Sequence, residues 1–150
     1  MKKLILSSFA ITTFVFSIAI FQLSGCKKDE TPSTTTPTTY PIEGLWIGTY
    51  SFDGQSSLGQ QYFSFTIKPD GTMITDTKLS NQQYLALGTW SLNGSTLTCA
   101  FTYIYGPAPG AGSSQTTTAK WDNTGKLTGT WKNVSPANGA TGTFTLTRVN

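Results

Sequence analysis

Residues 83–105 read QYLALGTWSLNGSTLTCAFTYIY. After Asn93-Gly94, Leu97, Cys99, Phe101 and Tyr103 alternate with Thr96, Thr98, Ala100 and Thr102, the period-two spacing of a strand with one buried face. Asn93-Gly94 is the strongest short hairpin signal in the chain, because both residues tolerate the positive φ of a type I′ turn. The stretch therefore predicts two antiparallel strands, 83–92 and 95–105, and β structure spreads outward from them.

Upstream, strands are predicted at 43–52, ending at Asp53-Gly54, at 61–68, ending at Pro69-Asp70-Gly71, and at 72–79, ending at Ser80-Asn81. Each stop is a turn former. Downstream, 116–121, 126–132 and 141–149 complete a set of eight. Phe63, Phe65 and Ile67 alternate with Tyr62, Ser64, Thr66 and Lys68, and Leu127 and Trp131 with Thr128, Thr130 and Lys132. In the first strand Leu45 and Ile47 compete with Trp46, Tyr50 and Phe52 for the inner face. Glu43 is the only glutamate from residue 40 onward, and no window there repeats apolar residues at three and four, so no helix is expected beyond the N-terminal segment. All connections but 106–114 are short, so each strand should pair with its neighbour in an antiparallel meander. Eight such strands close into an up-and-down barrel, which also removes exposed edges. The expected class is all-β.

Gly44-Leu45-Trp46 opens the first strand as Gly-x-Trp opens a lipocalin. Arg148 ends the last strand as a basic residue does in the lipocalin and avidin group, or calycins, and shares inward parity with Phe144 and Leu146. The domain 40–150 thus resembles a lipocalin-like barrel. The resemblance implies that Gly44, Trp46 and Arg148 close one end, with Arg148 packing across the tryptophan as a cation–π contact. Gly88-Thr89-Trp90 and Gly129-Thr130-Trp131 repeat the motif, the latter within LTGTWKN, which resembles the first strand of avidin-like proteins. The chain departs from typical lipocalins in having no helix after the last strand and a first loop of only about 53–60. No particular ligand is carried over.

The N-terminus carries an address. Met1-Lys2-Lys3 is basic, and from Leu4 to Leu23 fourteen of twenty residues are apolar, the pattern of an export signal. Leu23-Ser24-Gly25-Cys26 resembles the lipobox of bacterial lipoproteins. That resemblance implies a signal peptide over 1–25, cleavage before Cys26, and diacylglyceryl and N-acyl (palmitate-type) lipid on Cys26; the alternative is an uncleaved membrane anchor. Several acyl chains give stable anchoring. Lys27-Lys28-Asp29-Glu30 looks like the surface-export signal of lipoproteins in the Bacteroidota, which would place the domain on the cell surface; as a plain hydrophilic spacer it would leave the outer-membrane protein facing the periplasm. Residues 31–39, TPSTTTPTT, have nothing apolar to bury and complete a tether over 26–39.

Composition removes much chemistry. There is no histidine, and of the two cysteines the lipobox resemblance implies that Cys26 is taken by lipid, so a zinc site, a Ser-His-Asp triad and a Cys-His dyad are not expected from this chain alone. Cys99, between Leu97 and Phe101 in parity, reads as a small buried hydrophobe. Of the carboxylates Glu43, Asp53, Asp70, Asp76 and Asp122, three sit in turns, where aspartate serves the local backbone, and no pair facing one cleft is evident. From residue 40 onward six basic residues oppose five acidic ones, no electrostatic case for nucleic acid. No enzyme, no metal and no cofactor apart from the covalent lipid are expected, and a monomer is favoured.

Fifteen aromatic residues in 111 remain. A barrel of this strand number is filled by side chains or holds one small ligand. The leading expectation is a membrane-anchored barrel binding a small hydrophobic or amphipathic molecule at its open end, with Phe63, Phe65, Leu97, Phe101 and Trp131 as ligand-binding residues. A second is recognition of a glycan or a protein, including a hydrolase, by exterior rings drawn from Tyr50, Tyr62, Tyr84, Trp90 and Tyr105. A third is a structural envelope lipoprotein.

Overall fold

The computed structural model describes residues 41–150 except 109 and 137–138. The signal segment, Cys26, the tether and Tyr40 lie outside the described residues. Eight strands follow in order: β1 (Gly44–Phe52), β2 (Gln61–Ile67), β3 (Thr72–Leu79), β4 (Gln82–Asn93), β5 (Thr96–Tyr105), β6 (Ser114–Trp121), β7 (Lys126–Ser135) and β8 (Thr141–Arg148). Each pairs antiparallel with its sequence neighbours, and β8 returns to β1 through Trp46 opposite Arg148 and Tyr50 opposite Phe144. The chain is the expected closed eight-stranded barrel, and the described residues add one short 3-10 turn, Ser56–Leu58.

The hairpins refine the turn reading. Between β4 and β5 the two-residue loop is Gly94-Ser95, closed by the Asn93–Thr96 pair, and Gly94 alone takes positive φ (60°). The asparagine is thus the last strand residue, and glycine opens the loop as a type II′ turn requires. The I′ pattern appears instead at Ser80-Asn81, with φ of 50° and 66° between the paired Leu79 and Gln82. Strands β6 and β7 run further toward the 106–113 and 136–140 connections than the turn chemistry suggested. Their ladder continues through Gln115–Asn133 and Ser114–Ser135 across a bulge, so paired backbone outlasts the apolar alternation.

Parity then sorts the side chains. In β1 the competition resolves for Trp46 and Tyr50, which are buried, while Leu45 and Ile47 face solvent. The inward sets are Phe63, Phe65 and Ile67; Met73, Thr75 and Thr77; Leu97, Cys99, Phe101 and Tyr103; Leu127 and Trp131; Phe144 and Leu146, all buried. Phe65 meets Phe101 and Phe144 at ring-centroid distances of 6.3 and 5.6 Å, near edge-on, a geometry that adds about 0.5–1.5 kcal/mol per pair beyond area burial. The middle of the barrel is therefore filled.

The two ends differ. At one, β1 is preceded by 41–43, which lays Ile42 into the core, and the Trp46 indole donates to the Ile42 carbonyl at 2.8 Å. The Arg148 guanidinium donates to the carbonyls of Pro41 and Glu43 and lies against Gly44, where a Cβ would come within 3.0 Å of it. Gly44 also has φ +128°, so only glycine suits the place. This end is the floor, and its connections are the short 68–71, 94–95 and 122–125. The other end carries 53–60, 80–81, 106–113 and 136–140. It is the mouth.

Candidate functional site

A cup of about 250 Å3 opens at the mouth. Its walls come from inward positions at the mouth ends of six strands: Tyr50 and Phe52 from β1, Thr77 and Leu79 from β3, Tyr84 from β4, Tyr103 from β5, Gln115 from β6 and Asn133 from β7. The connections add Gln55, Gly110, Ser113, Pro136 and Ala140 at the rim. No described residue lining it carries a charge.

One wall is polar. The Tyr103 hydroxyl donates to Gln115 Oε1 at 3.2 Å, and Gln115 Nε2 donates to Asn133 Oδ1 at 2.7 Å. The Tyr50 hydroxyl donates to the Lys78 carbonyl at 3.3 Å. Burial pushes the Tyr103 phenol up to about 12, against a smaller pull from the Thr77 hydroxyl, and burial raises Tyr50 further, with Tyr103 and Tyr84 adding to the shift. Both are neutral hydrogen-bonding groups at any ordinary pH. The facing surface is apolar and aromatic. Tyr84 meets Tyr103 edge-on at 6.0 Å, and Phe52 meets Trp131 at 4.9 Å.

The 106–113 connection is fitted to Tyr84. Gly106, at φ +145°, and Gly110 both press on that ring, and a Cβ on either would fall within 2.4 Å of a ring carbon. The loop is pinned back to β5 by Gly112 N–H to the Tyr103 carbonyl at 2.7 Å and Tyr103 N–H to the Ser113 carbonyl at 2.8 Å. A bulge at Leu85/Ala86 shifts the β4–β5 register just below Tyr84, and bulges re-aim side chains in this way.

Phe63, Phe65, Leu97, Phe101 and Trp131 are all inside, none more than 3% exposed, yet none lines the cup. They form the packed layer beneath it: Phe63 touches Tyr50 at 5.3 Å and Phe101 touches Tyr103 at 5.8 Å, while Trp131 donates to the Ser51 carbonyl at 3.0 Å. The exterior ring set also changes. Tyr50 is buried, and Tyr84 and Trp90 pack partly against the core, with the Trp90 indole donating to the Lys68 carbonyl at 2.8 Å. Tyr105 is 63% exposed, and Tyr62 lies on the outer wall beneath the Lys78 ammonium at 5.7 Å.

The carboxylates are occupied locally. Asp70 accepts from the Thr72 N–H and hydroxyl, and Asp122 from the Thr124 and Lys126 N–H groups. These bonds hold both carboxyls below the usual range. Asp53 accepts from the Thr141 hydroxyl at 2.7 Å, and Asp76 from Gln83 at 3.2 Å. Burial pushes the Cys99 thiol up to about 11, the opposite of an activated nucleophile. Among the described residues no three His, Cys, Asp or Glu side chains gather as a metal would need.

No family model matches the sequence, and no curated protein matches it. Solved structures do match in shape. One is "Structure of EF1p2_mFAP2b bound to DFHBI", with a TM-score of 0.54 at 16% identity over 72% of this chain and 94% of that one. Another is "Structure of a redesigned beta barrel, b11L5F_LGL", with a TM-score of 0.54 at 14% identity over 79% of this chain and all of that one. The chain shares their barrel fold.

Alternation identifies which residues point inward but not their height along the axis, so it favoured the large apolar rings, which fill the middle. Six of the lining residues share one legible mark. They are inward positions at mouth ends that carry a polar tip: Tyr50, Thr77, Tyr84, Tyr103, Gln115 and Asn133.

Proposed function

We propose that this chain is a membrane-anchored lipoprotein whose barrel binds a small ligand in the cup at its mouth. The observation that carries the reading is the contrast of a filled middle with an open, uncharged, tyrosine-lined end; a cup near the 300 Å3 lower range of ligand sites suits one small molecule. The similar barrel EF1p2_mFAP2b is bound to DFHBI, in keeping with a fold that admits a guest, although the likeness concerns fold alone. Cys26 carries the lipid, 26–39 is the tether, and the outer membrane, on its cell-surface side, is the location. The described chain enters the barrel at Pro41, on the floor side. The role is binding and not catalysis, in keeping with Asp70 and Asp122 engaged by their own turns, Asp53 and Asp76 by Thr141 and Gln83, and a Cys99 thiol raised by burial.

Native mass spectrometry of the full chain, before and after denaturation, tests the cup. A co-purified mass that leaves on unfolding, or a mass gained on soaking with small aromatic and lipid compounds, is the expected result. An empty barrel under both conditions overturns the reading. Incorporation of labelled palmitate, abolished by Cys26→Ser, is expected for the anchor; unchanged labelling in that variant overturns it.

A second reading has one observation behind it. Leu87, Ile104, Tyr105 and Val134 are 47–63% exposed on the outer wall, a set suited to recognition of a glycan or protein from outside. Retained partner binding in a variant with a filled cup would favour it.

A further inference from the structure

The cup's chemistry narrows what it takes, an inference that rests on the binding reading above. Its hydrogen-bonding groups are not spread evenly. Tyr103, Gln115 and Asn133 form a chain along neighbouring strands β5, β6 and β7, whereas Phe52, Leu79, Pro136 and Ala140 line much of the remainder with carbon, interrupted by the separate polar groups of Gln55, Thr77 and Ser113. A polyhydroxylated sugar would set several hydroxyls against those carbon surfaces with nothing to pair them, at a cost of about 1–3 kcal/mol for each unsatisfied group. An anion or cation would enter a site without a countercharge among its described lining residues, and an unpaired charge out of water is costlier still. A wholly apolar molecule fits the carbon side but strips water from the amide wall without replacing its hydrogen bonds. The rings of Tyr50, Tyr84 and Tyr103 offer flat faces and edges of the kind aromatic guests pack against.

We propose that the ligand is an uncharged, flat aromatic compound with a single hydrogen-bonding edge, a hydroxyl or carbonyl that meets the Gln115–Asn133 wall while its ring lies among Tyr50, Tyr84 and Phe52. Gln115 is the specificity-determining residue, because it accepts from Tyr103 and donates to Asn133 and so joins the two in one wall. The Gln115 amide carries a second N–H and a second lone pair on Oε1, so the wall reads either a hydroxyl or a carbonyl.

A matched probe series tests this on the full chain held in an amphipathic polymer, with binding followed by calorimetry. The probes are 2-naphthol, naphthalene, 2-naphthoate and maltose. The expected result is that 2-naphthol binds at least tenfold more tightly than naphthalene or 2-naphthoate, that maltose does not bind, and that Gln115→Leu abolishes the preference for naphthol over naphthalene while naphthalene still binds. Binding of maltose or naphthoate as tight as that of naphthol overturns the proposed ligand class and leaves the cup reading intact. Equal binding of naphthol and naphthalene overturns the role of the amide wall. Failure of all four probes counts against both. Should Gln115→Leu fail to fold, Asn133→Leu supplies the same comparison from the partner side.

Discussion

The floor and the mouth of this barrel are built from the same strands in the same register, yet one is sealed and the other open. The seal needs large inward side chains whose polar atoms are bound to the local backbone: the Trp46 indole on Ile42, and the Arg148 guanidinium on Pro41 and Glu43. At the mouth the inward residues are also large, but their polar tips form a hydrogen-bonded wall, from Tyr103 through Gln115 to Asn133. A closed ring of eight strands leaves both outcomes available. Side-chain choice over the last turn of each strand decides between them.

If stability resides in the floor, Trp46→Ala should cost the most of any single change, about 3–5 kcal/mol, because it empties a fully buried site and orphans the Ile42 carbonyl. Tyr84→Ala, at a half-buried mouth position, should cost clearly less. Urea unfolding of both variants makes the comparison, and equal losses would dissolve the distinction between the ends.

A titration sharpens it from the other side. A tyrosine in the unfolded chain loses its proton near pH 10, whereas Tyr103 in the barrel keeps it to about 12. Between those values the unfolded chain releases a proton that the folded chain retains, so stability present below pH 10 falls as pH rises toward 12. The loss should be on the order of 2 kcal/mol, with Tyr50, whose phenol is raised in the same direction, adding to it. Tyr103→Phe should flatten the curve over that range; a variant as alkali-sensitive as the parent would count against burial of this phenol as the cause.

How far the sequence reaches is visible in the same contrast. Strand number, order and inward faces were legible because turn chemistry and period-two alternation are local, and a meander places neighbours in sequence beside each other in space. For the floor the resemblance singles out Gly44, Trp46 and Arg148, whereas the carbonyls of Ile42, Pro41 and Glu43 to which Trp46 and Arg148 donate are marked by no local pattern. The cup was not legible. Phe63, Phe65, Leu97, Phe101 and Trp131 are as inward as Tyr50 or Gln115, but they sit lower on the axis, and height depends on strand stagger, which no single strand encodes. The exterior reading of Trp90 missed its parity: it shares the inner face with Ala86, Gly88 and Leu92 and packs partly against the core.

The Tyr84 seat offers a smaller test of the mouth alone. Gly106→Ala places a Cβ against that ring from a backbone at φ +145°, and should cost about 1–2 kcal/mol. Hydrogen exchange should rise at 106–113 and remain slow at Trp46. A rise spread evenly over the barrel would mean that the mouth and the floor unfold as one unit.

The smallest effect expected is a gain. Below the mouth, the hydroxyl of Thr75 is buried with no hydrogen-bond partner and that of Thr117 is buried with only the Cys99 thiol, a weak partner, beside it, at the level where the polar wall gives way to the filled middle. Thr117 stands across the β5–β6 pair from Cys99 and across the β6–β7 pair from Trp131, with Gln115 two residues above it on the same face. A buried hydroxyl whose only polar neighbour is a thiol has lost its water and gained little, so exchanging it for a methyl of the same shape should stabilise the barrel. Thr117→Val should raise stability by about 1 kcal/mol, read as a higher urea midpoint with an unchanged slope. If Thr117→Val destabilises instead, the hydroxyl is satisfied in solution by a buried water, and the polar lining of the mouth then reaches one layer deeper than its side chains alone indicate.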